Sequence, residues 1–245
     1  MYYQNYFGFM LAIIACMIFS AFTSKKVHSS FAKHNKTSCR SALTGYDAVV
    51  RLLRSNGVTD ISVGRVKGEL TDHYHPTKAI VNLSDSTYGN SSVAAVAVAA
   101  HEIGHVMQKK TSYLFYNIRT ALVPVVNFGS RLAMPLVLVG LLLDASASLA
   151  TPDLGFKIAM IGVILYGGSL LFALVTLPVE LDASRRAKKM LLETGILSED
   201  EIPAAREVLS AAALTYLASL LTSAVYFLRF LMQVLFMFGR NNNRR

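Results

Sequence analysis

Apolar residues in this chain come in long blocks, and the blocks divide it before any motif is read. Residues 6–22 (YFGFMLAIIACMIFSAF) carry no charge and come close to the twenty or so apolar residues that a helix needs to cross a bilayer. Residues 156–177 form a second clean block, and residues 122–143 a third that is weakened by Pro124, Asn127, Ser130, Arg131 and Pro135. The first half of that weakened block is expected to line a protein cavity, because polar groups in hydrocarbon are costly. The polar stretch DASASLATPDLG between these two blocks predicts the turn of a helical hairpin. Residues 209–238 are long enough to span but contain Arg229, so the pattern leaves open whether they cross or lie partly in the interface.

Between the blocks the periodicity changes. Residues 41–57 place Ala48, Val49, Leu52 and Leu53 on one side of an amphipathic helix that Asn56-Gly57 closes. From 61 to 84 two short β-branched runs, ISVGRV and KAIVNLS, predict two strands separated by a turn at DHYHP. Ser91 or Ser92 caps a helix through AAVAVAAHEIGHVMQ to about residue 109. Pro178 marks a basic helix start or a kink, and Ser198-Glu-Asp-Glu201 caps the last helix.

Composition supports the same picture: 53% of the 245 residues are hydrophobic and 16% charged, which excludes a disordered chain. The net charge of +9 lies mostly beside the apolar blocks, where it sets topology and does not imply a nucleic-acid partner. No Lys or Arg precedes the first block and Lys25, Lys26, Lys33, Lys36 and Arg40 follow it, so it reads as an uncleaved anchor with its N-terminus outside, the alternative being an export signal that is removed. The expected organisation is a transmembrane anchor at 1–23, a cytoplasmic segment at 24–120, a membrane hairpin at 121–178, a second cytoplasmic segment at 179–208 and a transmembrane or interfacial helix at 209–245. Cys16 and Cys39 are too few for a disulfide framework or a Cys-rich zinc site, so any metal must use His and carboxylates.

His101-Glu102-Ile103-Gly104-His105 supplies them. Two histidines four apart share one helix face and can hold one zinc, while Glu102 can take a proton from zinc-bound water as general base. The fold class is therefore a mainly α integral membrane protein of three to four transmembrane helices, with a zincin-like HExxH helix and a short β element. A catalytic zinc needs a third protein ligand. Glu180 qualifies, since two crossings separate it from His105 and return it to the same side. Asp182 is the rival carboxylate, and the bland alternative for Glu180 is a surface charge offsetting Arg185 and Lys188. Ser184, one turn beyond Glu180, shares its face and can hydrogen-bond a ligand.

LTGYDAVVRLLRSNGV, LTDHYHP, VAAHEIGHVMQ, LPVELDASRRA and AREVLSAAALTYLASLL together resemble the YugP-like neutral zinc metallopeptidases of bacterial membranes, over nearly the whole chain. The more distantly similar HtpX-like and CAAX-prenyl-protease metallopeptidases share the HExxH helix and a later Glu-x-x-Ala, which falls here on Glu180 to Ala183. That resemblance implies Glu180 as third metal ligand. His75 stands where the family usually has Asp, so no family role passes to it. His73 and His75 beside a proline read as hydrogen-bonded or exposed side chains and not as a second metal site, while His28 and His34 read as solvated. Arg131 and Arg229 are expected to snorkel or to close an internal ion pair.

The function expected is a membrane-anchored, zinc-dependent endopeptidase with protein or peptide substrates, in the lipid bilayer with its catalytic site at the cytoplasmic face. The strand at 79–84 is expected to pair with an extended substrate. Tyr74, His73 and Tyr88 are all candidates for an oxyanion donor, and spacing does not choose among them. The alternative class is a non-catalytic membrane scaffold or adaptor stabilised by zinc. A transporter fits less well, since no repeated halves are visible.

Overall fold

A computed structural model describes residues 2–145 and 154–242. Residues 146–153 of the expected hairpin turn at 144–155, and the Arg244-Arg245 tail, lie outside the described residues. The chain is mainly helical: α1 (Tyr2–His34), α2 (Gly45–Ser55), β1 (Ser62–Val66), β2 (His73–His75), β3 (Ile80–Ser84), α3 (Asp85–Tyr88), α4 (Val93–Lys110), α5 (Leu114–Ala145), α6 (Leu154–Glu193) and α7 (Ile202–Asn242). Among the described residues four stretches, Phe7–His34, Leu114–Asp144, Leu154–Glu193 and Ile202–Gly239, are long and apolar enough to cross a membrane. Two compact units result, one of Met1–Ser20, Ile118–Thr176 and Leu217–Arg245, the other of Ala21–Asn117 and Leu177–Tyr216.

In the first unit Val137, Ala159, Val163, Val234 and Phe238 form the packed core. Asn127, Ser130 and Arg131 are exposed, which corrects the expectation that this half of α5 lines a cavity. The buried stripe of α5 runs instead through Gly129, Ala133, Val137 and Gly140, small residues at helical spacing that admit a neighbouring helix. A Cβ on Gly162 of α6 would come within 2.6 Å of the Ala133 carbonyl oxygen. Phe128, Leu142 and Ile164 remain about two-thirds exposed, as suits side chains that a bilayer would cover.

The second unit is built around α4. Ser92, not Ser91, caps it, its hydroxyl accepting from the Ala95 N–H. Apolar residues surround this helix on nearly every side: Ala48, Val49 and Leu52 of α2, Val81 and Leu83 of β3, and Leu191 of α6 belong to the same core as Val96, Ala100 and Ile103. Thr44 and Asp47 form a reciprocal capping box, so α2 begins at Gly45 and not at 41.

Three strands are present where two were expected. β3 is central, parallel to β1 on one side and antiparallel to β2 on the other. The extra strand is His73–His75: its Tyr74 packs on the core, and the turn to β3 begins only at Pro76. With both its edges occupied, β3 cannot receive an added substrate strand, which corrects the role expected of 79–84.

α6 runs unbroken through Pro178, which is neither a helix start nor a stop. The missing proline N–H costs one backbone hydrogen bond, a loss that long apolar helices tolerate. α1 continues past its apolar block to His34, and there another expectation fails. The His34 side chain is only 12% exposed, and its Nε2 lies 2.8 Å from Glu207 Oε2, beside Lys33 on the same carboxylate. His28 is 62% exposed, as expected of a solvated residue.

Candidate metal centre

His101 and His105 stand one turn apart on α4, their ring centroids 4.8 Å from each other. Glu180 enters from α6 with its Oε2 3.2 Å from His101 Nε2 and 3.5 Å from His105 Nε2. The two imidazoles are 13% and 10% exposed and the carboxylate 2%. Such proximity requires the two helix backbones to approach closely, and Gly104 allows it. A Cβ there would lie 2.5 Å from the Ala183 carbonyl oxygen, so no larger residue fits without moving a helix.

One donor atom from each of the three residues lies within 4.8 Å of the others. Zinc with N and O ligands at about 2.0–2.2 Å in a tetrahedron separates its ligand atoms by roughly 3.3–3.6 Å. The two N–O separations of 3.2 and 3.5 Å lie close to that spacing, and two imidazoles with one carboxylate are a donor set of the kind found in catalytic zinc sites. The residues therefore fit the metal that the motif implies.

The far nitrogens of both rings are engaged. His101 Nδ1 is 3.2 Å from Ser184 Oγ, the contact expected of that serine. His105 Nδ1 is 3.0 Å from Gln108 Oε1. Asp182 does not join the cluster: it accepts from Gln108 Nε2 at 3.0 Å and from Arg186 Nε at 2.6 Å. Arg185 is also nearest to Asp182, at 3.9 Å, so the charge-offsetting role considered for Glu180 falls to its neighbour.

Glu102 is buried on α4, and burial pushes its carboxyl up from the ordinary range. The nearby imidazoles pull the other way, while Asp72 and Glu180 add to the rise. A carboxylate with reduced solvation and a raised proton affinity is suited to proton transfer.

Two of the three residues considered as oxyanion donors, His73 and Tyr88, are engaged elsewhere. His73 Nδ1 donates to the Thr71 carbonyl and its Nε2 accepts from Asn82. Tyr88 packs on Tyr46 at 5.1 Å and carries the Arg65 guanidinium over its ring. The Tyr74 hydroxyl is enclosed without a hydrogen-bond partner, and burial pushes it up to about 12. His75 Nδ1 accepts from the Lys78 N–H. Sequence reasoning missed Gln108 and also Tyr116, a buried ring 6.4 Å from His105. Gln108 left one legible signal: it is an amide one turn beyond His105 in a helix whose preceding residues are mostly apolar.

A family described as "Putative neutral zinc metallopeptidase" matches residues 9–235. The "Putative membrane protease YugP" of Bacillus subtilis (strain 168) is 40% identical over 235 residues, covering 96% of this chain and 99% of that protein. No solved structure matches.

Proposed function

The chain belongs to the neutral zinc metallopeptidase family, and on that premise we propose that it is a membrane-anchored zinc endopeptidase in which His101, His105 and Glu180 hold the metal and Glu102 is the general base. The observation that carries this reading is the meeting of those three donors, from helices 79 residues apart in sequence, within 4.8 Å. Zinc bound there would supply a Lewis acid that polarises a peptide carbonyl and acidifies water.

The chain's own residues do the rest. Ser184 Oγ and Gln108 Oε1 contact the far nitrogens of the imidazoles, so Nε2 of each is the atom that would reach the metal. Glu102 would receive a proton at its carboxylate as water attacks and return it to the departing amine; the raised proton affinity that burial brings favours the first of these transfers. β1 and β2 are the outer strands of the sheet, and β2 packs against α4. An extended peptide pairing with β2 would lie along the helix that carries the histidines.

Residues 24–120 and 179–208 face the cytoplasm in this reading, because Lys and Arg concentrate there and the loop at 146–153 has none. The test is metal content together with cleavage of an unstructured protein by the wild type and by Glu102→Gln. One zinc per chain and cleavage only by the wild type support the enzyme. Equal cleavage by both would remove Glu102 from the mechanism, and zinc without cleavage in either would favour the scaffold.

A further inference from the structure

The interior of α4 contains one amide whose placement the reaction does not require. Gln108 has no exposed surface. Its Nε2 donates to the Val179 carbonyl oxygen at 2.7 Å and to Asp182 Oδ2 at 3.0 Å, and its Oε1 faces His105 Nδ1 at 3.0 Å. A residue serving only to fill space would be apolar here, because a buried amide is costly unless its hydrogen bonds are made.

We infer that Gln108 is a positioning residue that fixes which nitrogen of His105 is free for the metal, an inference that rests on the zinc reading above. The argument lies in the polarity of each link. Arg186 has only donors, and its Nε points at Asp182. The Val179 carbonyl oxygen only accepts, and Asp182 Oδ2 already accepts from Arg186. The amide must therefore turn its NH2 toward both. Its oxygen is then left facing His105, where Nδ1 must carry the hydrogen.

A neutral imidazole with hydrogen on Nδ1 has its lone pair on Nε2, the atom 3.5 Å from Glu180 Oε2. Arg186, Asp182, Gln108 and His105 thus form a chain of hydrogen bonds whose direction cannot be reversed. His101 has no equivalent lock, since the Ser184 hydroxyl can donate as well as accept. Gln108 also joins the helix of two ligands to the helix of the third, because Val179 precedes Glu180 directly.

The experiment measures zinc affinity of the full-length protein in detergent by competition with a chelator, and the visible spectrum of the cobalt-substituted form. Gln108→Met, which keeps the volume and removes the hydrogen bonds, is expected to weaken zinc by about 10–100-fold and to alter the cobalt bands, as lost outer-shell support does. Leu52→Ala opens a cavity in the same core without touching the site, and should keep wild-type affinity and bands. Gln108→Asn withdraws the amide by one methylene and should fall in the same direction as Gln108→Met, which preserves the test if the methionine variant does not fold. Wild-type affinity in either Gln108 variant, or an equal loss in Leu52→Ala, overturns the positioning role. A wild type that never takes up zinc overturns the metal centre as well, so the two failures are distinguishable.

Discussion

Arg186 Nε donates to Asp182 Oδ2 across 2.6 Å, and that carboxylate stands outside the cluster of His101, His105 and Glu180. Glu180, two residues earlier on α6, faces those histidines instead. The division of labour between two nearby carboxylates leads to the first prediction. Glu180→Ala should purify with little or no zinc, whereas Asp182→Ala should retain one zinc per chain, bound more weakly because Gln108 has lost an acceptor. Elemental analysis of both variants decides it, and the reverse pattern would transfer the third ligand to Asp182.

Glu102→Gln should keep the metal and lose proteolysis. Replacing a general base costs about 10²–10⁴-fold in rate, while a residue outside the ligand set leaves zinc stoichiometry intact. Paired zinc and turnover assays on one preparation give both numbers.

Gly104→Ala sets two effects against each other. Alanine is about 1 kcal/mol better than glycine inside a helix. Its Cβ, however, would sit 2.5 Å from the Ala183 carbonyl oxygen, a backbone atom that cannot turn aside, and overpacking costs about 1–3 kcal/mol. The steric term should win, lowering both the melting temperature and zinc occupancy. Gly89→Ala, where a Cβ meets nothing within 4 Å, is the control and should leave zinc unchanged.

Chelation should destabilise the second unit, because zinc held by both α4 and α6 binds the folded state only. At a zinc concentration one hundred times the Kd the difference is about 2.7 kcal/mol, visible as a fall in melting temperature when the metal is stripped. An unchanged melting temperature in a protein shown to have lost zinc would contradict a metal that bridges these helices.

Topology can be read with thiol reagents. In a chain whose own cysteines are replaced, Ala147→Cys should react from outside the cell and exposed Lys67→Cys only after permeabilisation. The opposite labelling would place the catalytic unit on the exterior.

The sequence made the HEIGH helix legible because helical spacing alone puts His101 and His105 on one face, and the cap at Ser92 lies within three residues of what it caps; the Thr44 cap of α2 went unread. What it hid depends on partners distant in the chain. Gln108 acquires its meaning from Val179 and Asp182 on another helix, and His34 from Glu207, 173 residues away. β2 was hidden for a local reason: three residues beside a proline resemble a turn until pairing with β3 shows them extended. The polar residues of α5 misled because cost in hydrocarbon does not reveal which stripe of a helix is packed.

The 79 residues between His101 and Glu180 also set an order of events in biosynthesis. A nascent chain that has emerged only as far as α4 has both imidazoles and the proposed base but no carboxylate to complete the zinc site. Both apolar helices of the hairpin must be synthesised before Glu180 leaves the ribosome. On the proposed reading the zinc site cannot assemble until the first three apolar helices have been made, so no metal-dependent activity precedes them.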